Sequence, residues 1–244
     1  MDISQTLAAY AQRYESEDFL HGDPSWFIHQ VEGRDNQEVM AFIASSLSYG
    51  SRRQFMPKIQ QILDWSGGDV DRWVRTGTFA SCLPDDDSRC FYRLYTHATM
   101  HRFLLALRRL LVEHGSLGEY VRERATDGYG AVACICQYFS CQGVSVVVPK
   151  DVRSACKRVC MFLRWMVRDG SPVDLGLWAA FIDRRTLVMP LDTHVLDQAC
   201  RLGLLSSKTA SMSAARRLTQ RLAEIFPDDP LKGDFALFGY GVNH

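Results

Sequence analysis

Apolar positions recur at intervals of three and four over most of the chain, and each such run predicts an amphipathic helix. In "QEVMAFIASSLSYG" (37–50) the stripe is Val39, Phe42, Ile43 and Leu47. Asp35 followed by Glu38 predicts a capping box that opens this helix. "RQFMPKIQQILDW" (53–65) and "MHRFLLALRRLLVEHG" (100–115) repeat the pattern, the second closing on His114 and Gly115 as helices commonly do. Toward the C-terminus "SACKRVCMFLRWMVRDG", "VDLGLWAAFI", "THVLDQACRLGLL", "SAARRLTQRLAEIF" and "DFALFGYGVN" all have helical period. The pattern dissolves from Ser66 to Arg89 and becomes ambiguous from Asp127 to Lys150. "VSVVVPK" favours a strand by composition, but no other segment offers it a partner, so an extended connection is expected. The expected fold class is all-α.

Composition narrows this only a little. The chain of 244 residues is 47% hydrophobic and 11% aromatic, enough to bury a sizeable core. Lys and Arg number 28 and so do Asp and Glu, so any nucleic-acid role has to come from uneven placement of charge. The first thirty residues lack the apolar core of a signal peptide and no long uncharged apolar run follows, which points to a soluble cytoplasmic protein with no membrane partner. Eight dilute cysteines without a CxxC pair read as reduced, mostly buried thiols.

The uneven placement exists. Between Lys150 and Arg168 stand Lys150, Arg153, Lys157, Arg158, Arg164 and Arg168 against the single acid Asp151. On the helix opening at Ser154, Cys156, Val159, Cys160, Leu163, Met166 and Val167 form a packing face, and Lys157, Met161, Arg164 and Arg168 a mostly cationic one. A helix start flanked by cations suits a phosphate, although a solvated helix face has the same pattern. Asp192, just before the helix in "PLDTHVLDQACRLGLL", reads on spacing alone as an N-cap. His97 and His101 have a metal-compatible spacing without a third ligand in pattern, and no metal or other cofactor is expected.

That last segment resembles the "VDTHVxRVxxRLGL" stretch of the helix-hairpin-helix DNA glycosylase superfamily, in which the aspartate at the helix start is catalytic. The resemblance implies a nucleophilic lysine at the start of the second hairpin helix, and Lys157 occupies that place. Over nearly its full length the chain resembles a family of bacterial proteins related to that superfamily, through "HGDP", "QEVMAFIASSLSYG", "FYRLYTH", "HGSLGEYV", "ACKRVCMFLRWMVR", "VDLGLW", "PLDTHV" and "DPLKGDFALFGYGV". The family carries no established activity. Three departures stand out. The glycine-containing hairpin "LPGVGxxTA" is replaced by "PKDVRSACKR". Lys157 and Asp192 lie 35 residues apart, a spacing similar to that of the archaeal 8-oxoguanine glycosylases. The chain ends at His244, where many relatives continue into a four-cysteine loop, so no iron–sulfur cluster is expected.

The resemblance implies one glycosylase-like unit over 1–244 with two helical lobes, 1–65 plus 190–244 and 90–189, flanking a cleft. It implies excision of a modified base from DNA, with or without strand cleavage. Lys157 would be the nucleophile and Asp192 the electrostatic and proton-handling partner. Lys150, Arg153, Arg158, Arg164, Arg168 and His194 would contact nucleic acid, and Gln37, Tyr49 and Trp165 would line a base pocket, with Trp26 and Trp178 as further aromatics. The competing expectation is a non-catalytic nucleic-acid-binding protein that retains the fold.

Overall fold

The computed structural model describes residues 2–243 and is predominantly helical. Met1 and His244 lie outside the described residues. The helices are α1 (Ile3–Tyr14), α2 (Arg34–Leu47), α3 (Arg52–Ser66), α4 (Val70–Thr76), α5 (His97–His114), α6 (Leu117–Arg122), α7 (Gly128–Cys141), α8 (Lys157–Val167), α9 (Thr193–Arg201), α10 (Met212–Ala223) and α11 (Lys232–Asn243). The described strands, β1 (Cys90–Tyr92) and β2 (Tyr95–Thr96), pair as a short antiparallel hairpin.

By contacts the chain divides into two compact units, Met1–His21 with Thr126–Ala133 and Asp151–His244, and Gly22–Ala125 with Cys134–Lys150. These borders differ from the lobes expected at 1–65 plus 190–244 and at 90–189. α8 belongs with α9, α10 and α11, because its arginines find their carboxylates there.

In the unit that holds α8, the last helix packs against both α1 and α9. α11 packs along α1, where Gly239 leaves room for the Tyr14 ring and a methyl group in its place would run into it. Phe19 sets its ring edge-on against Phe235 and Phe238 at 4.8 and 5.1 Å. α8 is buried on more than one face: every residue from Val159 to Val167 is inside. Its C-terminal carbonyls are closed by Leu175 and Trp178, whose N–H groups donate to Trp165 O and Met166 O, both at 2.7 Å. "VDLGLWAAFI" is therefore a turn-rich wrap around the end of α8 and not the helix its period predicts. Gly176 there has φ +65° and lies so close to Asp169 that a β-carbon has no room.

In the other unit α2 packs beside α3 and α4, and Phe42 stacks on Phe103 of α5 and Phe139 of α7. The capping box expected at Asp35 and Glu38 does not form. α2 starts after Gly33, and Glu38 turns inward, where its carboxylate accepts the N–H groups of Leu117 and Gly118 at 2.7 and 3.1 Å. It caps α6 from a distance of some eighty residues along the chain.

Candidate functional site

Asp192 is delivered by "LVMPL" (187–191), a buried extended segment whose Met189 N–H donates to the Thr219 hydroxyl of α10 at 3.0 Å. At the start of α9 one carboxylate oxygen, Oδ1, accepts the Val195 N–H at 2.9 Å and so caps the helix. The other oxygen, Oδ2, lies 3.7 Å from Nζ of Lys157. The two side chains are 32% and 36% exposed, so the pair is supported from below and open to solvent above.

Lys157 is the first residue of α8, so the N-termini of α8 and α9 meet at this ion pair. Both helix dipoles present their positive ends to the Asp192 carboxylate. The residue before Lys157, Cys156, has a left-handed backbone (φ +47°), uncommon for a residue other than glycine, and its thiol donates to Asp151 O at 3.3 Å.

Of the cationic face expected on α8, Lys157 reaches the solvent and the two arginines do not. Arg164 is buried between Asp174 and Asp234, donating from Nε to Asp174 at 3.2 Å and from Nη1 to Asp234. Arg168 is 1% exposed and bonds Asp174, Asp229 and Glu15. Burial works against its charge, but those three carboxylates outweigh it and hold the guanidinium more firmly protonated than usual. Arg164 and Arg168 are therefore corrected from nucleic-acid contacts to members of an internal ion network. The remaining candidates differ. Lys150 and Arg153 are exposed, Arg153 paired with Asp151 at 2.7 Å; Arg158 is half-buried and His194 exposed. Lys150 belongs to the other unit.

The base-pocket candidates do not come together within one unit. Trp165 is fully buried in α8, where its indole N–H finds no acceptor among the described residues, so it is core and not pocket. Trp178 is likewise buried, edge-on to Phe162 at 5.2 Å. Gln37 and Tyr49 belong to the other unit. Gln37 donates weakly to Ile28 O at 3.4 Å, and Tyr49 packs edge-on against Tyr92 at 5.1 Å, its hydroxyl 3.4 Å from the Leu94 N–H. His97 and His101 each give Nδ1 to a backbone carbonyl, Arg89 O and Leu83 O. Among the described residues no group of three or more His, Cys, Asp or Glu is placed to hold a metal ion.

One site residue escaped the sequence reading. Asp234, in the first turn of α11, is the partner of Arg164 and lies within electrostatic range of both Lys157 and Asp192. Burial raises its carboxyl above the ordinary range; Arg164 and Lys157 oppose that rise and Asp192 adds to it. A signal existed: five uncompensated cations within nineteen residues of a neutral chain have to meet acids from elsewhere, and "KGD" opens a helix with one.

Residues 23–243 match the model of a family described as a protein of unknown function (DUF2400). The chain belongs to this family. No curated protein and no solved structure matches it. Among the described residues no helix is long and apolar enough to cross a membrane.

Proposed function

We propose that the protein is a DNA N-glycosylase of the repair type, related to the helix-hairpin-helix glycosylases, with Lys157 as amine nucleophile and Asp192 as its carboxylate partner. The observation that carries the reading is the 3.7 Å approach of an amine and an acid from positions 35 residues apart, at two converging helix starts. Stability does not account for it. A partly exposed ion pair contributes about 0 to 1 kcal/mol. The cap is worth about 1 kcal/mol and needs only the oxygen that already bonds Val195.

As the glycosidic C–N bond breaks, the base leaves with the bonding electrons and takes up a proton, and positive charge develops on the sugar. Asp192, negative and fixed by its cap, opposes that charge. The Lys157 amine, its proton passed to the carboxylate or to water, attacks the sugar C1′ with its lone pair. Departure of the ring oxygen from C1′, with protonation of that oxygen, leaves a Schiff base. A base reached this way has to leave the duplex first. Arg153, Arg158 and His194 are on this unit to meet phosphates.

Borohydride trapping on oligonucleotides bearing a panel of lesions tests the reading. The parent is expected to form a covalent adduct on one lesion class, and Lys157→Gln to form none. Asp192→Asn, which keeps the cap acceptor, is expected to slow base release by about a hundredfold or more. Binding without base release or adduct on any lesion would overturn it in favour of a non-catalytic nucleic-acid-binding protein.

A further inference from the structure

α10 buries its apolar side. Leu222 packs against Gly233 of α11, and the Thr219 hydroxyl accepts the Met189 N–H at 3.0 Å, on the segment that ends at Asp192. The other side is one exposed polar stripe, Ser213, Arg216, Arg217, Gln220 and Arg221, at the spacings that share a helix face. From Met212 to Ala223 there is no acid. Arg221 reaches Glu224, just past the helix, at 3.3 Å. Arg216 and Arg217 meet no carboxylate among the described residues. Arg217 donates to the Ser213 hydroxyl at 3.1 Å, and Arg216 lies over the ring of Tyr129, near the start of α7, 4.9 Å from its centre.

A solvated helix face usually mixes its charges, and this chain balances many of its exposed arginines locally. Arg89, Arg122, Arg153, Arg185 and Arg201 each pair with an acid two to four residues away. α10 departs from that habit at a cost. Arg217 and Arg221 stand at i and i+4, where like charges destabilise a helix, and Arg216 and Arg217 sit in its middle, beyond the favourable C-terminal end of the dipole. The Tyr129 ring and the Ser213 hydroxyl order the two guanidiniums without neutralising them, so N–H groups remain for phosphate oxygens. From Ser213 to Arg221 the stripe runs about 12 Å, comparable with the rise of three or four phosphates along one strand of a duplex. A lipid surface fits poorly, because the apolar side that would enter it is already buried.

We infer that the Arg216–Arg217 face of α10, with Tyr129 beside it, is a binding surface for the phosphodiester backbone of duplex DNA, separate from the Lys157–Asp192 pair on the same unit. This deepens the proposed function, on which the identity of the polyanion rests, by naming where the substrate's backbone is held away from the reacting nucleotide. Contacts of this kind fix position and carry no sequence information, so the surface serves damaged and undamaged duplex alike.

The salt dependence of binding to undamaged duplex oligonucleotides tests this, since each phosphate contact contributes about 0.9 to the slope of log K against log salt. Arg216→Gln combined with Arg217→Gln is expected to make that slope shallower by about 2. Arg89→Gln combined with Arg122→Gln removes the same total charge, from arginines already paired with Asp87 and Glu119, and is expected to leave the slope within about half a unit of the parent's. Both double variants change exposed side chains and are expected to melt close to the parent, so a loss of binding is not a loss of fold. An unchanged slope in the α10 variant, or an equal loss in the control, would overturn the inference. Competition by polyglutamate that the α10 substitutions abolish, in a protein whose DNA binding they leave intact, would also overturn it and assign the face to an acidic protein. An α10-dependent slope in a protein that forms no borohydride adduct would leave this surface standing and sink the glycosylase reading, and an adduct with an unchanged slope would do the reverse. A parent that binds no duplex would overturn both.

Discussion

Glu38 and Asp192 put the same carboxylate group to quite different ends. Glu38 is buried and accepts two N–H groups at the start of α6, so its removal leaves both donors without their partner. Glu38→Ala is expected to cost about 2–3 kcal/mol in a urea titration, and Glu38→Gln less, because the amide oxygen can still accept. Asp192 divides its two oxygens between a cap and an ammonium. The sequence predicted its cap correctly, since the rule for that is local. The inward turn of Glu38 was illegible, because nothing within the α2 segment says that a helix start some eighty residues away lacks acceptors. The charges of Arg164 and Arg168 misled for the same reason. A local excess of cations reads as a surface when the acids that neutralise it are Glu15, Asp174, Asp229 and Asp234, spread over most of the chain.

At the scale of elements, helices with a polar and an apolar side were legible, and those without the contrast were not. α5, α9 and α10 follow their periods closely. α7, "GYGAVACICQYFSC", is apolar nearly all round and offers no stripe to count, and α4 is only two turns long. "VDLGLWAAFI" has the period without the helix, because its N–H groups serve the end of α8. Close helix approach depends on small residues, and α11 uses glycine for it. Gly239→Ala would trade a clash with Tyr14 against about 1 kcal/mol of helix propensity. Gly239→Val has no such offset and adds more volume, so it is expected to lower stability by about 1–3 kcal/mol or more in thermal melts. A variant as stable as the parent would mean that α1 and α11 have room to separate.

Over the whole molecule, a formal charge of zero conceals a buried island of two arginines and four acids. An island of this kind is rarely a net source of stability, yet breaking it is costly, since the partners left behind stay buried and charged. Arg168→Met, which strands Asp229 and Glu15 and leaves Asp174 to Arg164 alone, is expected to cost about 3–5 kcal/mol at neutral pH. Burial already raises the Asp174 carboxyl against the pull of Arg164 and Arg168, and without Arg168 it rises further above its unfolded value, so the deficit should shrink as pH falls through the folded value. Denaturant titrations of parent and variant across that range check both parts. The same island ties Glu15 near the beginning of the chain, Arg164 and Arg168 in its middle and Asp229 and Asp234 close to its end. A chain emerging from the ribosome can wind α8 early, but it cannot neutralise α8 until α11 has followed. Lys157 and Asp192 would thus acquire their full surroundings only after α11 has emerged, well after both of them have been made.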